Sequence, residues 1–401
     1  MSSNGAAHHH KFLIVGGGSA GISVASRLCR AGQAGSVAII EPSDKHYYQP
    51  LWTLVGAGVL PREATERLES DYIPVGAEWI RDAVQEFDPD KNAVVTRSGQ
   101  RLTYDFLVVA AGMQIDWDKV KGLRENIGRG GVCSNYGYDT VNTTWQAIRN
   151  FSGGDAVFTH PATPIKCGGA PQKIMYLAEE AFVAQGVRGR TKIHFYMGEP
   201  VIFKVEKYAK VLLEVIERKK IEPPHYRHNL KEIRIDAKEA IFDDLASNKE
   251  VTQHFDMIHV TPPQSAPDFI RKSPLANSAG FVDVDKQTTR HTKFANIYSL
   301  GDCSSLPTSK TGAAIRKQAP VTVSNILAAA KGTSSASQYD GYTSCPLVTG
   351  YRSLVLAEFD YDLKPRESFP FDQSKERYSM YLLKRHVLPL MYWHGMLRGR
   401  A

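Results

Sequence analysis

The stretch KFLIVGGGSAGISVASRLCRAG (11–32) limits the possible folds more than any other part of the chain. An apolar run passes straight into Gly16-x-Gly18-x-x-Gly21 and then into a helical pattern of small and apolar residues. A strand, turn and helix in this order form a unit that holds a pyrophosphate. Gly16 permits the tight turn, Gly18 lets the backbone approach the phosphates, and Gly21 lets helix and strand pack closely. The helix start supplies unpaired N–H groups beside Ser19. A second strand, SVAIIEPS (36–43), carries Glu41 near its end. That is about twenty residues beyond the third glycine, the spacing of an acid that binds the hydroxyl pair of a ribose. A parallel α/β sheet with a dinucleotide site is therefore the premise for the rest of the chain.

A chain of 401 residues, 42% hydrophobic and 23% charged, is long enough for two domains with cores of their own. Its net charge of +7 suits nucleic acid, an anionic membrane or small anionic substrates. No base-reading motif is present, so nucleic acid is not expected as a partner. The five cysteines, Cys29, Cys133, Cys167, Cys303 and Cys345, show no metal-type pair spacing, and no metal site or secreted disulfide framework is expected. The opening MSSNGAAHHHKF lacks the apolar core of an export signal, and residues 1–10 read as a disordered N-terminus. No apolar run approaches the ~20 residues of a spanning helix, so the chain is not expected to cross a bilayer.

Two later strands extend the pattern. YDFLVVAAGMQ (104–114) ends in Ala111-Gly112, and FANIYSLGDCSSLP (294–307) ends in Gly301-Asp302. An Asp at the carboxyl end of a parallel strand lies at the ligand crevice of such a sheet. In motif order the chain resembles the flavoproteins with two dinucleotide-binding domains. That resemblance implies FAD in the first site, with Asp302 on the ribityl hydroxyls. It also implies an α/β fold of two Rossmann-like domains, the second inserted in the first. The expected boundaries are 11–125 with 283–335 for the FAD domain, 126–282 for the inserted domain, and 336–401 for a C-terminal region. Cys303 reads as a small core residue.

Members of that group that use a nicotinamide nucleotide carry a second glycine loop in the inserted domain. Here the corresponding strand, GDAVFTHP (154–161), leads instead into ATPIKCGGAPQKIMYLAEEAFVAQG (162–186). Ile174, Leu177, Ala178, Ala181 and Phe182 have helical spacing, with Pro171 suited to the first turn. Pro161 and Pro164 remove N–H donors that a pyrophosphate needs. Cys167 stands there beside Lys166, just ahead of the helix, and both influences favour a thiolate. A nicotinamide is thus not the expected electron donor. Cys345, in the turn-rich QYDGYTSCPLVTGY (338–351), is the expected partner and reads as a loop residue. Cys29 reads as a packed helix residue.

Taken together, GGGSAG, HYYQPLWTLVGAG (46–58), IKCGGAPQKIMYL (165–177), GDCSSLPTSKT (301–311), YDGYTSCPLVTGY (339–351), AEFDY (357–361) and FPFDQSKER (369–377) resemble the sulfide:quinone oxidoreductases over nearly the whole chain, most of all the branch of the mitochondrial enzyme and its bacterial relatives. The resemblance implies that Cys167 and Cys345 are the redox pair. Cys345 takes sulfur from hydrogen sulfide as a persulfide, and Cys167 meets the flavin as a thiolate. Two electrons pass through FAD to a ubiquinone-type quinone, and the sulfur leaves to a small acceptor. Gln49 and Lys310 fall in flavin-facing segments. By family position Tyr351, Phe359, Phe369 and Phe371 are the quinone candidates. Some branches use a third cysteine, for which Cys133 is the candidate, a point its surroundings leave open.

The tail ERYSMYLLKRHVLPLMYWHGMLRGRA (376–401) mixes apolar and aromatic residues with Lys384, Arg385, Arg398 and Arg400; Lys375 and Arg377 flank its start. Two short amphipathic helices divided near Pro389 are expected to lie in a membrane interface, with Tyr392 and Trp393 at headgroup level. A peripheral place on a bacterial plasma membrane or mitochondrial inner membrane follows, and a homo-oligomer is compatible with it. The alternative is the flavoprotein subunit of a flavocytochrome c sulfide dehydrogenase, which shares the fold and cysteine pair but is exported and lacks such a tail.

Overall fold

The computed structural model describes residues 8–334 and 337–401. It contains two Rossmann-like α/β units. In the first, a seven-stranded sheet has His8–Val15 near its middle, flanked in parallel by Val37–Ile40 and Arg101–Val109, with Ala77–Ile80 extending the parallel set. Arg101–Val109 pairs with two further strands. Its polar start is antiparallel to Ala93–Thr96, and its apolar end is parallel to Ile297–Ser299. Successive side chains of His8–Val15 point to opposite faces. Phe12 and Ile14 pack with the helix Ser19–Leu28, whereas Leu13 and Val15 join a second cluster with Ile270 and Leu275. Both faces are covered, which is why the strand reads as an unbroken apolar run.

The expected disorder over 1–10 fails for His8–His10, which begin this strand and pair with Leu102, Thr103 and Tyr104. The start of Arg101–Val109 presents N–H and C=O groups on that side, and pairing satisfies them. Residues 1–7 lie outside the described residues.

The second unit is a five-stranded parallel sheet, in the order Val132–Cys133, Met257–His259, Gly154–His160, Thr191–Met197, His225–Tyr226. The chain passes between units where Gln114–Ile115 pairs antiparallel with Gln264–Ser265. Past this crossing Val120 and Leu123 already pack with the second unit, while Ala266, Ile270 and Leu275 already pack with the first. The side chains of 120–123 and 266–275 thus divide between the two cores close to this crossing. Residues 266–282 carry little regular structure to mark a boundary, and their apolar side chains decide which core they join.

The hairpin Thr343–Gly350 with Ser353–Phe359 lies against the helix Ala170–Ala184 of the second unit. The tail departs from the two helices expected. Residues 378–398 follow one helical course through Pro389, widened by the π-turns Leu383–Val387 and Met391–Gly395. A π-turn ahead of a proline removes the demand for the hydrogen bond that the ring cannot donate.

Candidate functional site

At the first turn, Gly16 has φ +102°, and a Cβ there would lie 2.6 Å from Ala110 O; at Gly21 it would lie 1.8 Å from Gly16 O. Only glycine lets these strand ends close up. Gly18 differs: among the described residues nothing lies within 4 Å of its Cβ position and no side chain caps the helix Ser19–Leu28. Glu41 accepts from the N–H of Gly17 at 2.7 Å and of Ser43 at 2.8 Å, while burial pushes its carboxyl above the usual range. Gly112, at φ +70°, and Ala111 follow the neighbouring strand end. Gly301 packs on the same helix, its Cβ position 3.2 Å from Ala20 Cβ, and Asp302 beside it is pushed up by burial against the pull of Lys310 and Lys166. An uncapped helix start over open space, an acid at one strand end and a second acid at the other fit a flavin dinucleotide laid across the sheet.

Beside this crevice Cys167 Sγ lies 3.3 Å from Cys345 Sγ. A disulfide spans ~2.05 Å, so the two sulfurs are in contact but unbonded, as two free cysteines. Cys167 has φ +58°, a conformation a side chain rarely adopts, and its N–H donates to Lys310 O at 2.8 Å. That bond binds the cysteine turn to the segment following Asp302. Cys345 is not in a loop, as its turn-forming neighbours suggest, but in the strand Thr343–Gly350 opposite Ala357. The misleading residue is Pro346, tolerated because a two-stranded hairpin has edges where a missing N–H costs nothing. Alternation turns Cys345 and Leu347 toward the helix Ala170–Ala184. A Cβ at Gly169 would lie 2.7 Å from Cys345 Sγ and 2.3 Å from Leu347 Cδ2.

The electrostatics of the pair are asymmetric. The hydrogen bond from Cys345, together with Lys173, holds Cys167 well below the usual thiol value against the effect of burial; Cys345 is pushed well above it by the same partner and by burial. Thiolate and thiol are thereby assigned to different sulfurs. The cation at the thiolate is Lys173, its Nζ 3.1 Å from Cys167 Sγ, and not Lys166. Burial lowers Lys173, but the two sulfurs outweigh it and the net shift is upward. Lys166 turns aside to donate to Gln49 Oε1 at 2.6 Å, and burial pushes it down to about 8. Lys310 donates to Ser304 O at 2.5 Å and lies over the Phe281 ring.

The sequence reading missed Lys173 and misplaced Lys384. Lys384 is buried, donates to Pro50 O at 2.7 Å and is pushed down to about 7, chiefly by burial and Lys173. A lysine on the buried face of IMYL was the available signal for Lys173, because lysine is almost never buried without a partner. Cys133 donates to Ile258 O at 3.4 Å, and burial pushes it up to about 12, which disfavours its thiolate. Cys303 is likewise buried.

All four quinone candidates pack on one hydrophobic cluster. Phe369 and Phe371 stack at 5.3 Å, and Phe359 meets Phe203 edge-on at 5.8 Å. Tyr351 donates to Ala57 O and lines a separate cavity of about 480 Å³ with Trp145, Tyr381 and Arg385. Tyr392 and Trp393 do not reach a headgroup level. Both are buried against His46, Tyr48 and Tyr72, because that aromatic pocket removes more apolar surface from water than an interface would. The exposed apolar residues of the tail are instead Tyr378, Leu382, Val387 and Leu390.

The family model described as pyridine nucleotide-disulphide oxidoreductase matches residues 10–138. A mitochondrial sulfide:quinone oxidoreductase of Mus musculus is 48% identical over 98% of this chain and 88% of its own. That of Dictyostelium discoideum is 48% identical over 97% and 86%. In fold, the chain is similar to the X-ray structure of the sulfide:quinone oxidoreductase from Aquifex aeolicus, with a TM-score of 0.82, 19% identity and coverage of 98% and 92%.

Proposed function

Since the chain belongs to the sulfide:quinone oxidoreductase family, we propose that its FAD-dependent oxidation of sulfide runs through Cys167 and Cys345. The sulfur pair at 3.3 Å with Lys173 on one member carries this reading. In the oxidised chain the two form a disulfide. Hydrosulfide attacks Cys345 Sγ, the S–S bond breaks, Cys345 becomes a persulfide, and Cys167 departs with the electron pair as a thiolate. A thiol of low pKa is the better leaving group, which supports Cys167 in that role. Lys173 stays protonated and holds the charge in place. Lys384, near neutrality, suits the exchange of a proton at the same centre. FAD, when bound across the strand ends by Gly18, Glu41 and Asp302, supplies the two-electron acceptor. The sulfane sulfur then passes from Cys345 to a small nucleophilic acceptor, and the disulfide closes again.

Among the described residues no helix is long and apolar enough to cross a membrane. The exposed Tyr378, Leu382, Val387 and Leu390, with Arg385 on the same helical run, support a peripheral seat on an anionic bilayer. The cavity at Tyr351 and Tyr381, next to that face, supports quinone approach there. A cytochrome-linked flavoprotein is not favoured, as the full-length relatives are named for quinone.

The test is anaerobic sulfide added to wild type, Cys167→Ser and Cys345→Ser. Wild type is expected to bleach and show a long-wavelength flavin band, with both variants yellow and slower by about a thousandfold or more. Rapid bleaching of either variant would overturn the paired mechanism.

A further inference from the structure

A buried hydrogen-bond chain away from the sulfur pair joins the C-terminal helix to the nucleotide turn. The Tyr392 hydroxyl lies 2.7 Å from Ser19 Oγ and 2.6 Å from His46 Nε2, and His46 Nδ1 lies 2.9 Å from Glu69 Oε2. His46, Glu69 and Tyr392 are all buried. Around them Tyr48 contacts Tyr392 at 4.4 Å between ring centres, and Tyr72 contacts Trp393 at 4.9 Å. Further along, Ser26 Oγ donates to Leu397 O at 2.6 Å, and the Cβ position of Gly399 is 3.0 Å from Arg27 N. Residues 392–399 therefore follow the flank of Ser19–Leu28 from end to end. This is the helix whose start faces the open cradle at Gly18.

The far end of the chain bears on the ribose corner. Glu69 Oε1 is buried and, among the described residues, has no hydrogen-bond partner. A Cβ at Gly17 would lie 2.5 Å from this oxygen and 2.6 Å from Glu41 Cγ, so the two acids meet across the same glycine. Glu41 accepts from two backbone N–H groups, whereas Glu69 presents a carboxylate oxygen with no donor. A buried acceptor left unmatched is costly, and a sugar hydroxyl is a donor of the right size for that corner.

We propose that Glu69 is a second acceptor for the adenosine half of FAD, and that Tyr392, through Ser19 and His46, makes the docked C-terminal helix part of the cofactor site. The proposal rests on the first turn being the FAD site and is independent of the sulfur chemistry. Glu69 Oε2 and His46 Nδ1 share one hydrogen bond at 2.9 Å, which leaves Oε1 as the oxygen turned to the ribose corner. Tyr392 then fixes the rotor of the Ser19 hydroxyl at the mouth of the phosphate cradle. The helix that bears the exposed apolar face of the tail also closes the side of the nucleotide site.

The test uses full-length apoprotein titrated with FAD, followed by flavin fluorescence, alongside the melting temperature of each apo form. Glu69→Gln is expected to weaken FAD binding about tenfold or more and Tyr392→Phe about fivefold, with Leu390→Ala, on the exposed face, unchanged. Glu69→Gln and Tyr392→Phe both remove a buried hydrogen bond, so their apo forms are expected to melt somewhat lower, and FAD affinity is compared at a temperature where every form is folded. Tyr392→Phe removes one oxygen from a packed ring, so it reads the proposal even if Glu69→Gln fails to fold. Wild-type affinity in Tyr392→Phe, or a fall in apo melting without a change in FAD affinity, would overturn the proposal. A wild-type chain that took up no FAD would overturn the first-turn assignment and this proposal with it.

Discussion

The strands His8–Val15 and Gly154–His160 each end in a turn that feeds a helix packed on its own sheet, Ser19–Leu28 in one case and Ala170–Ala184 in the other. The first turn keeps open space at Gly18; the second is closed by Cys345 and Leu347 against Gly169. Glycine serves the same purpose at both, allowing something to approach the helix start more closely than a Cβ permits. What approaches differs. At one turn it is suited to be a phosphate, at the other it is a sulfur atom. The comparison teaches that this architecture needs only the close approach and leaves the partner free to change.

Gly169→Ala should break the comparison most severely. The new methyl would lie 2.3 Å from Leu347 Cδ2 and 2.7 Å from Cys345 Sγ and must push both away, so sulfide-driven bleaching in stopped flow is expected to fall about a hundredfold with FAD retained, since 1 Å misplacements carry costs of that order. Gly168→Ala, with nothing within 4 Å of its Cβ position, is the matched control. Equal rates in the two variants would mean that the turn tolerates a side chain and the parallel with the first turn is wrong.

A smaller effect is expected from Lys173→Met, which removes the cation at Cys167. The thiol pKa should rise and bleaching slow about tenfold, and titration of the thiolate absorbance in the reduced protein would detect the shift. An unmoved titration would assign the thiolate to the Cys345 hydrogen bond alone.

The smallest effect concerns Lys384. Its value in the folded chain, about 7, lies below its ordinary 10.5, so between these limits the unfolded chain holds more protons. Stability accordingly rises with pH across that window, and the cost of charging the buried amine is present in full below it. Lys384→Met should flatten the slope, as read from urea midpoints at the two ends of the window. An unchanged slope would place the buried cation elsewhere.

The strand, turn and helix at 11–32 were legible because each glycine answers a local demand, and the helix at Ala170–Ala184 because its apolar spacing repeats along one face. Cys167 stood out for the same kind of reason, at a helix start. Cys345 was found as a partner but placed in a loop, since Gly341, Ser344 and Pro346 resemble turn residues and nothing nearby in the chain reveals the pairing with Ala357. Tyr392, Trp393 and Lys384 were read by composition as a membrane face. The tail's orientation is decided by a pocket built from Tyr48 and Tyr72, more than three hundred residues earlier in the chain.

By itself the sequence determined where backbone had to bend tightly and where helices had to start, because those demands are met within a few neighbouring residues. Only the tertiary structure decided which lysine charges Cys167, that Cys345 sits on a strand facing it and which face of the tail is buried. Those outcomes depend on distances between groups far apart in the chain, and a thiolate becomes stable only where a cation and a hydrogen-bond donor have both been carried to it by the fold.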